Sequence, residues 1–191
     1  TYQPEKLLIH MTADLLGIDE SYITKHITDL TIDKKIMVKE NNGERVVYAA
    51  VYYYLELNAA KMLLQLNMKY DADELMTRRM IARIEADEGI ALDDMQKMAV
   101  LEAARNGVLV ITGGPGTGKT TTINAIIRYF EMEGLDIYLA APTGRAAKRM
   151  TEATGYEAKT IHRLLELSGV PEESSAGVHF ERNAQNPLEA R

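Results

Sequence analysis

Residues 113–120 read Gly-Gly-Pro-Gly-Thr-Gly-Lys-Thr, and this stretch decides the fold. It matches the pattern G-x-x-x-x-G-K-[ST] without a gap, and the apolar residues 107–112 lead into it. Because glycine has no Cβ atom, the backbone N–H groups of such a loop can converge on phosphate oxygens. A helix that begins at Lys119 directs the positive end of its dipole at the same anion. The pattern therefore predicts a buried strand, a phosphate-binding loop and a helix, in that order.

The loop also carries the candidate catalytic side chains. We expect Lys119 to reach the β- and γ-phosphates of a bound nucleotide and the Thr120 hydroxyl to ligate Mg²⁺. The candidate nucleotide-binding residues of the loop are Gly113, Gly114, Pro115, Gly116, Thr117, Gly118, Lys119, Thr120 and Thr121. A chance glycine-rich turn is the alternative, and the predicted strand and helix on either side disfavour it.

The elements after the loop predict the α/β fold class. A helix over residues 119–133 ends at Gly134, and residues 136–141 form a second apolar run. Strand, helix and strand within ~30 residues predict a right-handed βαβ unit and a parallel sheet. Further helices are predicted over residues 94–104, after an Asp93 cap, over residues 145–153 and over residues 160–167.

A basic turn follows the second predicted strand. Residues 141–149 read Ala-Pro-Thr-Gly-Arg-Ala-Ala-Lys-Arg, and no acidic residue occurs between Asp136 and Glu152. The carboxyl ends of parallel strands are where α/β sheets place ligands. Thr143 and the first N–H groups of the next helix are therefore candidates to hold a polynucleotide phosphate. A solvated helix face explains the same pattern equally well.

Spacing alone does not decide the roles of two further side chains. Gln96 precedes the loop, and its amide can both donate to and accept from an adenine edge, although an ordinary exposed glutamine is the favoured interpretation. His162 lies in Thr160-Ile161-His162-Arg163, where Thr160 is a candidate helix cap and Arg163 a candidate phosphate contact. A lone histidine is more often structural.

Composition excludes several protein classes. The 191 residues are 46% hydrophobic, which is enough for a core, and no apolar run approaches the ~20 residues of a membrane span. We see no secretory signal. The absence of cysteine excludes disulfides and thiolate zinc sites and fits a reducing cytoplasm. The net charge of −6 is concentrated in the first half, which argues against a protein that coats duplex DNA.

The first 89 residues predict a mainly helical region. One helix ends at Gly17, a second is capped by Ser21, and Asn42-Gly43 predicts a type I′ hairpin. This order is that of a winged-helix module, so residues 1–50 form a candidate accessory module. Its second helix is expected to bury Ile23, Ile27 and Leu30. It also carries acidic residues, so we favour a packing or partner-binding role over duplex binding.

Residues 51–89 are interpreted as a helical connector. The two helices of this connector are expected to bury Leu55, Ala59, Met62, Leu63 and Leu66 on the first, and Leu75, Ile81 and Ile84 on the second. The run Tyr52-Tyr53-Tyr54 is interpreted as helix packing rather than a base-stacking platform.

Four stretches together resemble one known family. Gln96, the loop 113–122, residues 141–147 and residues 160–165 follow one another in the order found in RecD/TraA-type DNA helicases, the superfamily-one branch that moves five-prime to three-prime. The resemblance covers about residues 90–167. It implies a RecA-like P-loop NTPase fold, in which Gln96 contacts adenine and Lys119 and Thr120 serve ATP and Mg²⁺. It also implies a single-stranded DNA track lined by Pro142, Thr143, Gly144, Arg145, Thr160 and His162.

The chain departs from this family after Ser168. The family's next motif is a buried strand that ends in an acidic pair, and Glu172-Glu173 instead follows Gly-Val-Pro in a stretch that predicts an exposed loop or hairpin. We therefore interpret residues 90–191 as an incomplete first motor domain. Alone, the chain is expected to bind nucleotide at most and to separate no strands.

The resemblance implies an ATP-dependent DNA helicase of recombination or repair. Its expected partners are single-stranded DNA, or DNA with a five-prime single-stranded tail, and a protein at the N-terminal module, without a membrane. Two alternatives remain: a P-loop kinase of a small substrate, and a nucleotide-regulated DNA-binding adaptor without catalysis. The adaptor predicts tight duplex binding that falls steeply with salt.

Overall fold

The computed structural model describes residues 2–168 and 179–189, and the chain divides into two compact units. The first unit is Thr1–Met68 and the second is Lys69–Arg191. The residues interpreted as a connector, 51–89, are divided between the two units. Among the described residues, no helix combines the length and apolarity that crossing a membrane requires.

The first unit combines three helices with a small antiparallel sheet. Its strands lie in the order β1-β3-β2. In chain order its elements are β1 Gln3–Pro4, α1 Glu5–Leu16, α2 Glu20–Ile32, β2 Ile36–Asn41, β3 Glu44–Ala49 and α3 Ala50–Leu66.

Local signals in this unit are confirmed at two of three positions. Asn42 and Gly43 have φ angles of 51° and 79°, which is the backbone of the predicted hairpin turn. Gly17 ends α1 with a φ of 66°. The predicted cap of α2 is wrong by two residues, because the Asp19 carboxylate, not Ser21, accepts a hydrogen bond at the helix start. The backbone is extended at Asp19 and already helical at Glu20, so Asp19 occupies the capping position.

The core of the first unit lies between α1, α2 and the hairpin. Ile23 and Ile27 are buried there as predicted, whereas Leu30 is half-buried. The prediction for α3 is wrong, since the side chains expected to face inward are all exposed: Leu55, Ala59, Met62, Leu63 and Leu66. Helix α3 contacts the hairpin near its start. Ala50 is buried, the ring of Tyr53 lies 5.3 Å from that of Tyr48, and the Tyr54 hydroxyl lies 3.9 Å from the sulfur of Met37.

The described residues of the second unit form helices α4 to α8 and two short two-stranded sheets. The pair β4 and β5 is parallel, and the pair β6 and β7 is antiparallel. In chain order its elements are α4 Glu74–Glu88, α5 Asp94–Arg105, α6 Lys119–Met132, β4 Leu139–Ala141, α7 Gly144–Thr154, β5 Ala158–Thr160, α8 Ile161–Leu164, β6 Leu167–Ser168 and β7 His179–Phe180.

Helices α4, α5 and α6 enclose the core of this unit. The core contains Ile81, Ile84, Leu92, Val100, Leu101, Ala125 and Tyr129. The sequence leaves the cap of α4 open between Asp71 and Asp73 and predicts an end at Gly89. In the structure the Asp73 carboxylate caps α4, and the helix ends at Gly89 with a φ of 63°. Leu75, which was expected to face inward, is 61% exposed. It lies in the first turn of α4, while Ile81 and Ile84 lie further along, where α5 and α6 cover the helix.

The parallel sheet is confirmed, but one of its predicted strands is wrong. Residues 107–112 form no strand, and Val110 is 78% exposed. An apolar groove of about 390 Å³ is lined by Leu109 and Ile111 of this segment, by Leu139 of β4 and by residues of α6. A strand needs a hydrogen-bonded neighbour, and among the described residues the ladder partner of β4 is β5.

The observed βαβ unit is therefore β4, α7 and β5. Strand β4 covers only the last three residues of the predicted strand 136–141. Strand β5 was not predicted; it precedes α8, which is much shorter than the helix expected over residues 160–167. The loop predicted after Ser168 includes Glu172-Glu173, and residues 169–178 lie outside the described residues. The strands on either side of them, β6 and β7, pair with each other.

Candidate functional site

The glycine-rich loop stands at the start of helix α6. Residues 113–117 are exposed, and Gly116 and Gly118 have φ angles of 77° and 72°. These angles lie in the left-handed region, which a side chain disfavours. Helix α6 has 14 residues, and the N–H groups of its first turn have no partner within the helix. The loop therefore offers backbone donors and a helix dipole to an anion.

The ammonium group of Lys119 lies inside this loop. Its Nζ donates hydrogen bonds to the carbonyl oxygen of Gly113, at 2.7 Å, and to that of Gly114. Thr117 Oγ1 donates to the Gly114 carbonyl at 2.9 Å. A Cβ atom on Gly113 would lie 2.7 Å from Thr117 Oγ1, so a larger residue there would displace the Thr117 side chain. The loop thus places one cation at its centre, next to the exposed Thr120. An ammonium, free N–H groups and a hydroxyl are the donor set that fits a polyphosphate and its Mg²⁺.

Gln96 connects helix α5 to the end of the loop. Its Oε1 accepts from the N–H of Asp93 at 2.9 Å, and its Nε2 donates to the Gly118 carbonyl oxygen at 3.4 Å. The Asp93 side chain accepts from the Gln96 N–H in return, which completes a capping box. The spacing Asp93-x-x-Gln96 is the signal that predicts this box. Gln96 is half-buried rather than an ordinary exposed glutamine, and its contact with adenine stays a prediction.

A cavity of about 560 Å³ opens between helix α5 and the loop. Met98 and Ala99 lie on its helical side, Ile111 lies on the segment before the loop, and Gln96 and Lys119 supply polar groups. Small-molecule sites are typically mostly apolar cavities of roughly 300–1,000 Å³ with a few polar groups. The cavity therefore has an apolar wall for a base and a cation for phosphates.

A second cluster of predicted residues forms at the carboxyl edge of the parallel pair. Ala141 of β4 lies opposite Thr160 of β5, so the turns that follow the two strands are neighbours. The Thr143 hydroxyl accepts from Ala146 N–H at 3.2 Å and caps α7. The Thr160 hydroxyl caps α8 in the same way. The structure thus brings Pro142, Thr143, Gly144 and Arg145 together with Thr160 and His162.

This edge is exposed and basic. Arg145, Lys148 and Arg149 are exposed on α7, and Lys148 Nζ lies 3.9 Å from Glu152. The ring of the exposed His162 lies 6.1 Å from that of Phe180. The edge can therefore contact an anionic backbone, and an aromatic pair lies on α8 and β7.

Two other chemistries find no support in the described residues. Ser168, His179 and Glu181 contact one another, but Nε2 of His179 faces both the serine and the glutamate. A relay needs the two ring nitrogens to face different partners, so this set is not a catalytic triad. Within residues 2–168 and 179–189, no group of three histidine or acidic side chains is placed to hold a metal ion.

Comparison with known proteins identifies one matching family and several similar proteins. Residues 96–191 match the model of a family described as AAA domain. The chain is 47% identical over 74 residues to the ATP-dependent RecD2 DNA helicase of Deinococcus radiodurans, across 39% of this chain and 10% of that protein. It is 32% identical over 154 residues to the RecBCD enzyme subunit RecD of Mycolicibacterium smegmatis, across 63% and 27%. For RecD of Haemophilus influenzae the identity is 34%, across 50% and 18%.

These matches agree with the architecture. The glycine-rich loop, helix α6 and the parallel pair of strands lie within the matched residues. A mixed α/β unit with this loop and a small parallel sheet fits a RecA-like P-loop fold. The chain spans between 10% and 27% of the length of these three relatives.

Proposed function

The chain belongs to the AAA domain family, and on that premise we propose that it supplies the ATP-binding portion of a RecD-type DNA helicase. The observation that carries the proposal is the Lys119 ammonium at the centre of a glycine loop, at the start of a helix and beside a cavity of about 560 Å³. One of the relatives named above is an ATP-dependent DNA helicase by name, and the other two are RecD subunits of the RecBCD enzyme by name. We propose the same activity, in recombination or repair, for the complete protein that contains this chain.

The loop performs the electrostatic part of the reaction. Lys119 leaves the carbonyl oxygens of Gly113 and Gly114 and donates instead to the β- and γ-phosphates. The N–H groups of the first turn of α6 would bind the same oxygens, and the Thr120 hydroxyl would hold Mg²⁺. When bound, this ion neutralises the charge that develops on the phosphates. Phosphoryl transfer to water needs positioning and charge stabilisation more than covalent chemistry, and these residues position the phosphates and stabilise their charge.

Gln96 can recognise adenine without giving up its structural role. An amide oxygen accepts two hydrogen bonds and an amide nitrogen donates two. The contacts with Asp93 and Gly118 use one of each. One acceptor and one donor remain, and they match the N6 amino group and the N7 atom of adenine. We propose that the base lies in the cavity against helix α5.

Single-stranded DNA is the proposed ligand of the edge formed by β4 and β5. Arg145 supplies charge, while Thr143, Thr160 and the N–H groups at the starts of their helices supply hydrogen bonds to phosphate. The ring of His162, beside Phe180, is suited to stack on a base. We also propose that residues 1–50, with helices α1 and α2 and the hairpin, form a winged-helix-like module. Its exposed Lys25 and Asp29 fit a protein partner better than a duplex.

The test is ATP hydrolysis by the complete protein, measured with and without single-stranded DNA that has a free five-prime end. We expect DNA to stimulate hydrolysis, and Lys119→Ala to abolish it without loss of the folded state. Hydrolysis by Lys119→Ala at the wild-type rate contradicts the proposal. A kinase would transfer phosphate to a small acceptor independently of DNA, and an adaptor would bind nucleotide without turnover.

A further inference from the structure

Helix α6 forms hydrogen bonds with the βαβ unit at positions beyond the glycine-rich loop. One turn beyond Lys119, the Asn124 side chain donates a hydrogen bond of 3.2 Å to the Ala153 carbonyl at the end of α7. Further along α6, Arg128 Nη1 donates to the hydroxyl of Tyr156 at 3.2 Å. The helix that begins in the loop thus touches both the end of α7 and the turn between α7 and β5.

The Tyr156 hydroxyl lies between opposite charges. It donates to Glu131, whose carboxylate also accepts from Arg128 Nη1 at 3.0 Å. Arg128 Nε donates to Glu88 of α4 at 2.9 Å. Burial and the Glu131 carboxylate raise the pKa of Tyr156 above its ordinary value of 10.0. The hydrogen bond from Tyr156 lowers the pKa of Glu131. Near neutral pH the phenol is therefore protonated, the carboxylate is ionised, and the cluster stays intact.

The turn that carries Tyr156 is tied to α7 and leads directly into β5. The N–H of Tyr156 donates to Thr154 Oγ1 at 3.2 Å, and the N–H of Ala158 donates to Thr151 Oγ1 at 2.9 Å. Strand β5 then runs only from Ala158 to Thr160. Because the connection is short and hydrogen-bonded, a shift of α6 against Tyr156 must either break the cluster or shift Thr160.

The two ends of this connection belong to the two proposed sites. Lys119 at the start of α6 exchanges its carbonyl partners for phosphate oxygens when nucleotide binds, and Thr160 stands at the proposed DNA edge. From this arrangement we infer that Tyr156, acting through Arg128 and Glu131, is a positioning residue that couples nucleotide binding to single-stranded DNA binding. The inference rests on the proposed function, because it needs both ligands to bind.

The experiment compares Tyr156→Phe with wild type in the complete protein. The affinity for a fluorescent single-stranded oligonucleotide is measured with and without a non-hydrolysable ATP analogue. We expect the analogue to change the affinity of the wild type by about fivefold or more, and that of Tyr156→Phe by less than about twofold. Affinity for the analogue alone should stay within about twofold of wild type, because Tyr156 does not touch the loop.

Tyr138→Phe is the matched control. Its hydroxyl donates to the Glu189 carbonyl oxygen at 3.1 Å, so the same atom is removed from a tyrosine of the same unit. This variant should keep the wild-type ratio of affinities. A second variant, Glu131→Gln, removes the charge that holds Tyr156 and should reduce the ratio as Tyr156→Phe does. Melting temperatures of all variants identify unfolding.

Three outcomes of this experiment contradict the inference. Wild-type coupling in a folded Tyr156→Phe overturns the inference, and so does a lower melting temperature with an unchanged ratio, because the role is then structural. If wild type binds both ligands with no coupling, the inference also fails. Wild type that binds neither ligand contradicts the proposed function instead.

Discussion

The Lys119 ammonium lies 2.7 Å from the carbonyl oxygen of Gly113, six residues earlier in the chain. The ammonium group thus already has hydrogen-bond acceptors within its own loop. A hydrogen bond to a charged group contributes about 1.5–3 kcal/mol, and a bound polyphosphate must replace it with stronger contacts. A multiply charged phosphate group meets this requirement better than a neutral ligand does. The contact therefore favours a polyphosphate ligand at this loop.

The close approach of Gln96 to Gly118 predicts the effect of a single methyl group. A Cβ atom on Gly118 would overlap the Gln96 side-chain amide, and its φ of 72° adds strain. We expect Gly118→Ala to lower the free energy of unfolding by about 1–2 kcal/mol and to weaken ATP binding by about tenfold or more. Chemical denaturation and a fluorescent-nucleotide titration measure the two effects.

Gly134→Ala is the control that introduces backbone strain without a clash with Gln96. Gly134 has a φ of 75°, but nothing lies within 4 Å of its Cβ position. This variant should lose similar stability through backbone strain and keep wild-type nucleotide affinity. Equal nucleotide affinities in the two variants would show that the Gln96 contact does not shape the site.

The basic edge predicts a charge-dependent loss of DNA binding. Arg145 is exposed at the start of α7, beside the Thr143 cap. We expect Arg145→Ala to weaken binding of single-stranded DNA and to reduce the slope of log affinity against log salt by about 0.7, the value for one phosphate contact. Arg83→Ala on α4, which removes an exposed arginine 3.5 Å from Asp87, is the control and should leave the slope unchanged. An unaltered slope in Arg145→Ala places the DNA elsewhere.

The contacts of Glu85 predict that the free energy of unfolding decreases at acidic pH. Its carboxylate accepts from the Leu92 N–H at 2.8 Å and lies 3.0 Å from Lys97 Nζ. The Leu92 contact first, and Lys97 second, lower the pKa of Glu85 below its ordinary value of 4.5. The stabilisation is therefore complete above pH 4.5 and is lost as the pH falls through the lower pKa of the folded state.

Glu85→Gln tests this dependence because glutamine still accepts from Leu92 but carries no charge. Wild type should be the more stable protein at pH 7, and the difference should shrink as the pH falls below about 4.5. Asp87→Asn is the control for the loss of a negative charge from the same helix. A difference between wild type and Glu85→Gln that stays constant from pH 7 to about pH 3 contradicts the assignment.

The elements predicted best are those with local signals. The loop, the start of α6 and the turn at Asn42-Gly43 follow from residue types that require particular backbone angles. The Asp93 cap of α5 is confirmed in the same way. The spacing of the two residues also carries a signal for the role of Gln96 in that cap, beside the interpretations as an exposed glutamine or an adenine contact.

The wrong predictions concern which segments of the chain pack against each other. Residues 107–112 are apolar enough for a buried strand, yet pairing depends on a neighbour that hydrophobicity cannot identify. The apolar face of α3 is present in the sequence, but whether anything covers it is a tertiary property. The contact between Arg128 and Tyr156 joins residues 28 positions apart, and no spacing rule reports such a pair. Long-range contacts of this kind explain why Tyr156 had no sequence signal.

The most direct test of the central claim is a titration of ATP with Mg²⁺ into wild type and Lys119→Ala, with Lys61→Ala on α3 as the control. We predict saturable binding by wild type and by the control, and an affinity at least about tenfold weaker for a folded Lys119→Ala. Equal affinity in all three proteins would contradict the claim that the loop at residues 113–120 holds the phosphates.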